Sequence, residues 1–247
     1  MRYLIFFFAL ITSIVLSSYN YKGVPHHKLK FEHFIPTEIS EPSDVVYDQE
    51  TNHMFVVSDH TGTLYECEIS GKVIRKAPEK GLDFEGVEIK DNNVFVADES
   101  GRKVYKYNKK DLSLVYTYNT PYDGPRNSGF ESLTYNETKK CFIMISEKNP
   151  IVIFEMDENF KVLKQYPFSG VRDISAARWY KGQMYLLSDM DMSIMRCDPN
   201  TYEVKEEYSI NVLNPEGLAF DKNSNIIITS DKLSRIYYFK NLPTNNE

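Results

Sequence analysis

The chain has 247 residues, a formal net charge of −6, and is 42% hydrophobic and 26% charged. This length and apolar share exclude a disordered chain and allow a sizeable core, while an acidic balance without a basic block excludes the usual nucleic-acid binder. Eighteen Tyr and fifteen Phe favour strands, because aromatic side chains suit a pleated, half-buried surface.

Residues 1–18, MRYLIFFFALITSIVLSS, place Arg2 before an apolar run from Leu4 to Leu16 and then the small residues Ser17 and Ser18. This is the layout of a secretory signal peptide, and the run falls short of the roughly 18 residues of a bilayer-spanning helix. Export to the periplasm, the cell envelope or the exterior is expected. The weakly marked cleavage site leaves an uncleaved anchor as the alternative, and that is the one expected route to a membrane. No cysteine follows the run, so a lipid anchor has no attachment point. Residues 19–27 read as a linker with His26 and His27 solvated.

Downstream, one unit recurs five times, opening with PSDVVYD at Pro42, FEGVEIK at Phe84, FESLTYN at Phe130, ISAARWY at Ile174 and PEGLAFD at Pro215. The second positions are Ser43, Glu85, Glu131, Ser175 and Glu216, at spacings of 42, 46, 44 and 41 residues. A four-stranded propeller blade occupies this period. Each unit continues through a turn into a second apolar run that closes on an acid: Asp59, Asp98, Glu147, Asp189 and Asp231. Third runs such as KVYKYN and fourth runs such as FKVLKQY follow; four short runs separated by turn residues are the pattern of a sheet. The fifth unit stops after its third run near Leu242, whereas KLKFEHF from Lys28 reads as a fourth strand without a blade. An all-β, single five-bladed propeller over residues 28–242 is expected, its last blade completed by the N-terminal strand so that no edge is left unpaired, with residues 243–247 as a tail. Three cysteines forbid a complete internal disulfide set, and Cys67 and Cys197 fall at equivalent, apolar repeat positions.

GFESLTY with its following EKNP, FEGVEI followed by VADE, and NPEGLAF with NIIITSD carry a resemblance to the SdiA-regulated (YjiK-like) family of bacteria, running from about Phe31 to Lys240. The resemblance implies a five-bladed propeller related to NHL-repeat proteins and a calcium ion at a shared site; it implies no catalytic activity. The connection between the third and fourth units, QYPFSGVRD, is shorter than in the family pattern, so any surface built there is absent.

The start of a blade's first strand and the end of its second lie on one face of the disk, so the carboxylates should converge on one channel mouth. Glu85, Glu131 and Glu216 should stand nearest the axis, with Ser43, Asp44 and Ser175 filling the remaining blades. Facing carboxylates cannot all stay ionised without a cation or a large pKa rise, and an all-oxygen donor set favours Ca²⁺ over Zn²⁺, copper or Mg²⁺. The bland alternative for the glutamates is a strand cap, and for Asp59, Asp98, Glu147, Asp189 and Asp231 an Asx-type turn; otherwise these five form a ligand face. His60 is a weaker candidate at that face, Lys148 and Arg102 could supply positive charge to it, and Trp179 reads as core. Two functions remain open. One is a calcium-organised module that binds a small molecule or a protein at the mouth, and the alternative is a metal-dependent hydrolase of the lactonase or phosphoesterase type. Binding is favoured, because no Asn or His pair stands at the inner positions to serve chemistry.

Overall fold

The computed structural model describes residues 23–120, 129–148 and 150–242; the expected signal segment and tail lie outside them. The described residues form strands and no helix. Two strands precede the repeats, β1 (His26–Lys28) and β2 (Phe31–Pro36). The first blade comprises β3 (Pro42–Asp48), β4 (His53–Ser58), β5 (Thr63–Glu68) and β6 (Val73–Lys76). The second comprises β7 (Phe84–Lys90), β8 (Asn93–Asp98), β9 (Lys103–Asn108) and β10 (Leu114–Asn119). The third runs through β11 (Phe130–Asn136), β12 (Cys141–Ser146), β13 (Val152–Met156) and β14 (Val162–Pro167). The fourth holds β15 (Ala176–Tyr180), β16 (Gln183–Ser188), β17 (Ser193–Cys197) and β18 (Val204–Ser209). The fifth is β19 (Pro215–Phe220), β20 (Ile226–Ser230) and β21 (Arg235–Phe239), with β2 as its outermost strand. The chain is therefore a five-bladed β-propeller.

Successive side chains of a strand point to opposite faces, and here both faces are buried against neighbouring blades. In blade one, Val46 and Phe55 join the cluster shared with Val87 and Val96 of blade two. Val45 and Met54 join the cluster shared with Ile227 and Ile236 of blade five. This two-sided burial explains why the inner strands read as near-continuous apolar runs. Cys67, Cys141 and Cys197 are buried within such clusters and unbridged; burial pushes the Cys141 thiol up to about 11 and the Cys67 thiol up to about 12.

Closure is antiparallel, pairing Phe31 with Phe239, Phe34 with Tyr237 and Ile35 with Ile236. The Phe31 ring packs edge-on against Tyr237 at 5.1 Å. A strand already lies within the expected linker. β1 adds to blade four as a parallel fifth strand, pairing His26 with Glu207 and Lys28 with Ser209. The expectation that His27 is solvated is corrected, since its ring stacks on Tyr208 at 5.2 Å. Residues 26–36 thus span the seam between blades four and five. Deleting residues 31–35 should expose the edge of β21 and lower the thermal midpoint of the whole domain in one cooperative step; an unchanged midpoint would sink this account of closure.

Candidate functional site

The glutamates owe their position to a backbone irregularity. The pairing of β7 with β8 jumps from Phe84 to Gly86, that of β11 with β12 from Phe130 to Ser132, and that of β19 with β20 from Pro215 to Gly217. Glu85, Glu131 and Glu216 are the skipped residues. Ser43 is skipped in the same way in blade one, and Ser175 stands just before β15 with its amide on the Leu187 carbonyl. A bulge leaves its extra residue out of the ladder and re-aims its side chain, here toward the axis. In blades two and five the residue that follows must be small, because neighbouring inner strands nearly touch there. A Cβ on Gly86 would lie 2.7 Å from the Leu133 amide nitrogen, and one on Gly217 would lie 2.7 Å from Asp44 Cα.

The bulges place the three glutamates, with Ser43 and Ser175, around a cavity of about 90 Å³. Asp59, Glu147, Asp189 and Asp231 line it as anticipated, and Asp173 joins them. These are eight carboxylates, and no basic side chain is among the lining residues. Within this mouth the oxygens of Asp59, Asp83 and Glu85 come within 4.8 Å of one another. The tightest grouping therefore shares Glu85 with the anticipated trio but lies toward the seam of blades one and two.

Asp98 does not belong to this ring, which corrects the sequence alignment by one residue. β8 ends on Asp98 where β4, β12, β16 and β20 end on Ser58, Ser146, Ser188 and Ser230. Asp98 does what those serines do and ties loops: it accepts hydrogen bonds from Leu82 N at 3.0 Å and Gly101 N at 2.7 Å. The residue matching the acids elsewhere is Glu99, which accepts the Gly129 amide at 2.8 Å and neighbours Glu131. A one-residue slip along a strand reverses the side chain's face. Asp83 and Asp173 escape the sequence reading: both stand two residues before the bulge position, but the other repeats carry Glu41, Gly129 and Asn214 there, so the column gives no regular signal.

Asp44 is a second correction. It lies on the axis below the mouth, fully buried, and accepts hydrogen bonds from the amides of Val45 at 2.8 Å and Val87 at 2.9 Å. Arg178 meets it at 3.0 Å. The guanidinium also donates to the carbonyls of Val45, Val87 and Leu218, each at 2.8 Å, and to Glu88 at 3.3 Å. Five N–H groups thus meet five acceptor groups on blades one, two and five, the full capacity of an arginine. Glu88 extends the network to blade three through Thr134 Oγ1 at 2.6 Å. This plug divides the channel into two mouths.

Electrostatically the acidic mouth is under stress. Burial first, then the neighbouring Glu131, Asp83, Asp59 and Glu216, hold the Glu85 carboxyl far above the ordinary range. Burial with Glu99, Glu147 and Glu216 does the same to Glu131. Glu216 is pushed up to about 9 by burial and by Asp189, Asp231, Asp173 and Glu147, and Asp59 up to about 6, chiefly by burial. Positive charge stays at the rim, with Lys148 paired to Glu147 and His60 exposed 3.8 Å from Glu41. A carboxyl whose pKa is raised by folding binds its proton more tightly in the folded state. Its contribution is fully present below the unfolded pKa and is lost as pH rises through the folded value. The metal-free protein should therefore lose stability between about pH 5 and pH 9, seen as a falling urea midpoint, and a saturating cation should flatten the slope. A flat metal-free profile would show that the ring acids do not oppose one another.

The fold has counterparts among known proteins. The crystal structure of Myxococcus xanthus glutaminyl cyclase superposes with a TM-score of 0.68 at 14% identity, covering 87% of this chain and 98% of that one. The WD40 β-propeller domain of Doa1 gives a TM-score of 0.52 at 11% identity, covering 79% of this chain and 62% of the other. At such identities the likeness is one of fold. A family model matches residues 23–240, which cover all five blades. By that match the chain belongs to the SdiA-regulated family.

Proposed function

We propose that this chain is an exported, calcium-binding propeller that acts as a ligand- or protein-binding module. The observation that carries the reading is the ring of eight carboxylates around about 90 Å³ without a basic side chain in its lining. Such a set is costly while ionised and empty, and a divalent cation relieves it. The donors are hard oxygens on loops and bulges, and no His or Cys lines the cavity, which suits Ca²⁺ with its six to eight flexible oxygen ligands better than Zn²⁺ or Mg²⁺. Glu85, Asp59 and Asp83 would hold the ion on one side and Glu131 and Glu216 on the other. The ion would supply charge balance and fix the loops of five blades. A hydrolase is the weaker reading, because about 90 Å³ is well below the roughly 300–1,000 Å³ of sites that enclose organic substrates. Export rests on the pattern of residues 1–18.

Elemental analysis of protein purified without chelator, followed by calorimetric titration of the stripped protein with Ca²⁺, Mg²⁺ and Zn²⁺, tests the reading. Calcium retained and rebound more tightly than magnesium is the expected result; zinc retention, or no heat with any of the three, would overturn it. Mass spectrometry of the exported protein should find the segment through about residue 18 removed.

A further inference from the structure

The channel has a second mouth on the far side of Arg178, with a cavity of about 580 Å³. This lies inside the range of small-molecule sites and is several times the size of the acidic cavity. Arg178 and Glu88 form its floor, and because every guanidinium N–H is already engaged, the floor offers no free cation to an incoming anion. Val46, Ile89, Trp179, Ala219 and Phe220 give the walls an apolar side, with Gln49 beside it. Tyr180 lies flat on Phe220, with ring centroids 4.4 Å apart and planes 5° from parallel. Trp179, expected in the core, is only partly buried there and lines this well.

The rim is charged in a sorted way. Lys181 and Lys222 come from the turns of blades four and five, whereas Asp48 and Glu50, Asp91, and Glu137 come from the matching turns of blades one, two and three. Lys109 meets Asp48 at 3.2 Å and Glu50 at 2.6 Å, and Lys90 meets Asp91 at 2.8 Å, so among the described residues Glu137 is the rim acid without an ion pair. Opposite signs therefore flank an apolar, aromatic well. We infer that this mouth binds a small zwitterion with an apolar or aromatic body, of the size of an apolar α-amino acid. The body is desolvated against Trp179 and Ile89, the ammonium group faces Glu137, and the carboxylate faces Lys181 and Lys222. The acidic mouth is unsuited to such a ligand, because its carboxylates repel the ligand's own. The inference does not depend on calcium, since the plug separates the two mouths.

Trp179 is the only tryptophan, and its partly exposed ring lines this well, so its emission reports on it. The probes are L-phenylalanine, phenethylamine, which lacks the carboxylate, and 3-phenylpropionate, which lacks the ammonium group. Phenylalanine should change the Trp179 emission saturably in the millimolar range. Each singly charged probe should bind about tenfold more weakly or worse, as expected for loss of one charge-assisted contact. Charge reversal at the exposed positions, Lys222→Glu and Glu137→Lys, should each weaken phenylalanine binding severalfold while leaving the melting temperature unchanged. The affinity should be the same in calcium and in chelator; a missing calcium response with intact phenylalanine binding would sink the metal reading and leave this one standing. No saturation by fluorescence or ligand-observed NMR up to about 20 mM would overturn the inference, as would equal affinity for all three probes.

Discussion

Glu85→Gln is expected to raise the melting temperature of the chelator-treated protein and to remove most of the rise that calcium gives the wild type. Glu85 belongs both to the bulged trio and to the tight group with Asp59 and Asp83, and its carboxyl is opposed by Glu131, Asp83, Asp59 and Glu216. An ion that binds only the folded state stabilises it by about 2.7 kcal/mol at a hundredfold excess over Kd, which for a domain of this size is roughly 5–10 °C. Removing one carboxylate takes away repulsion when the ion is absent and affinity when it is present, so the two effects have opposite signs. A strand-capping glutamate would instead lose stability under both conditions. Glu131→Gln locates the ion. An equal loss of response places it on the axis among the trio, and a smaller loss places it at the seam with Asp59 and Asp83. Full calcium responses in both variants would show that the site lies elsewhere.

Arg178→Met should destabilise the protein by about 3–5 kcal/mol, the cost of removing one partner from a buried ion pair, or roughly 6–20 °C in melting temperature. The substitution leaves the Asp44 carboxylate and the carbonyls of Val45, Val87 and Leu218 without their donor in the middle of the molecule. Burial pushes the Asp44 carboxyl up to about 6 even with Arg178 beside it, so little holds it ionised once the arginine is gone. Arg178→Lys should recover only part of the loss, since an ammonium group offers three donors where the guanidinium offers five. Adding Asp44→Asn to Arg178→Met should cost less than the sum of the two single changes, because the groups act as one unit. Chemical denaturation of the four variants measures this, and an Arg178→Met protein within about 1 kcal/mol of wild type would refute the plug as a tie between blades.

Repetition made the architecture legible. Five openings at spacings of 42, 46, 44 and 41 residues determine the number of blades, because each unit must bury two faces against copies of itself. The missing fourth strand at the C-terminus and the spare strand at the N-terminus determine how the ring closes. The same repetition pointed to Glu85, Glu131 and Glu216, since a charge ahead of an apolar run at three equivalent places marks one location in space. It misleads at VADE, where two adjacent acids compete for one column and Asp98 stands in for Glu99. Strand composition is indifferent to such a slip, and only the pairing of Phe84 with Asp98 settles the face.

Other features were decided by tertiary structure alone. In blades two, three and four, Leu112, Phe160 and Tyr202 hold φ values of 57°, 59° and 62° while almost wholly buried. A large side chain accepts that unfavourable backbone only because the core between blades rewards its burial, and no local preference announces the exchange. Arg178 is similar: in ISAARWY it resembles a surface arginine, and nothing within its own blade says otherwise. Its donors are satisfied by residues up to 134 positions away, brought together only when the ring closes. The sequence by itself determined the sheet, the count of blades and the acidity of one mouth, because these follow from periodicity and charge. The position of the tightest oxygens, the plug beneath them and the apolar second mouth came from closure, because each is made of groups from several blades that share no local pattern.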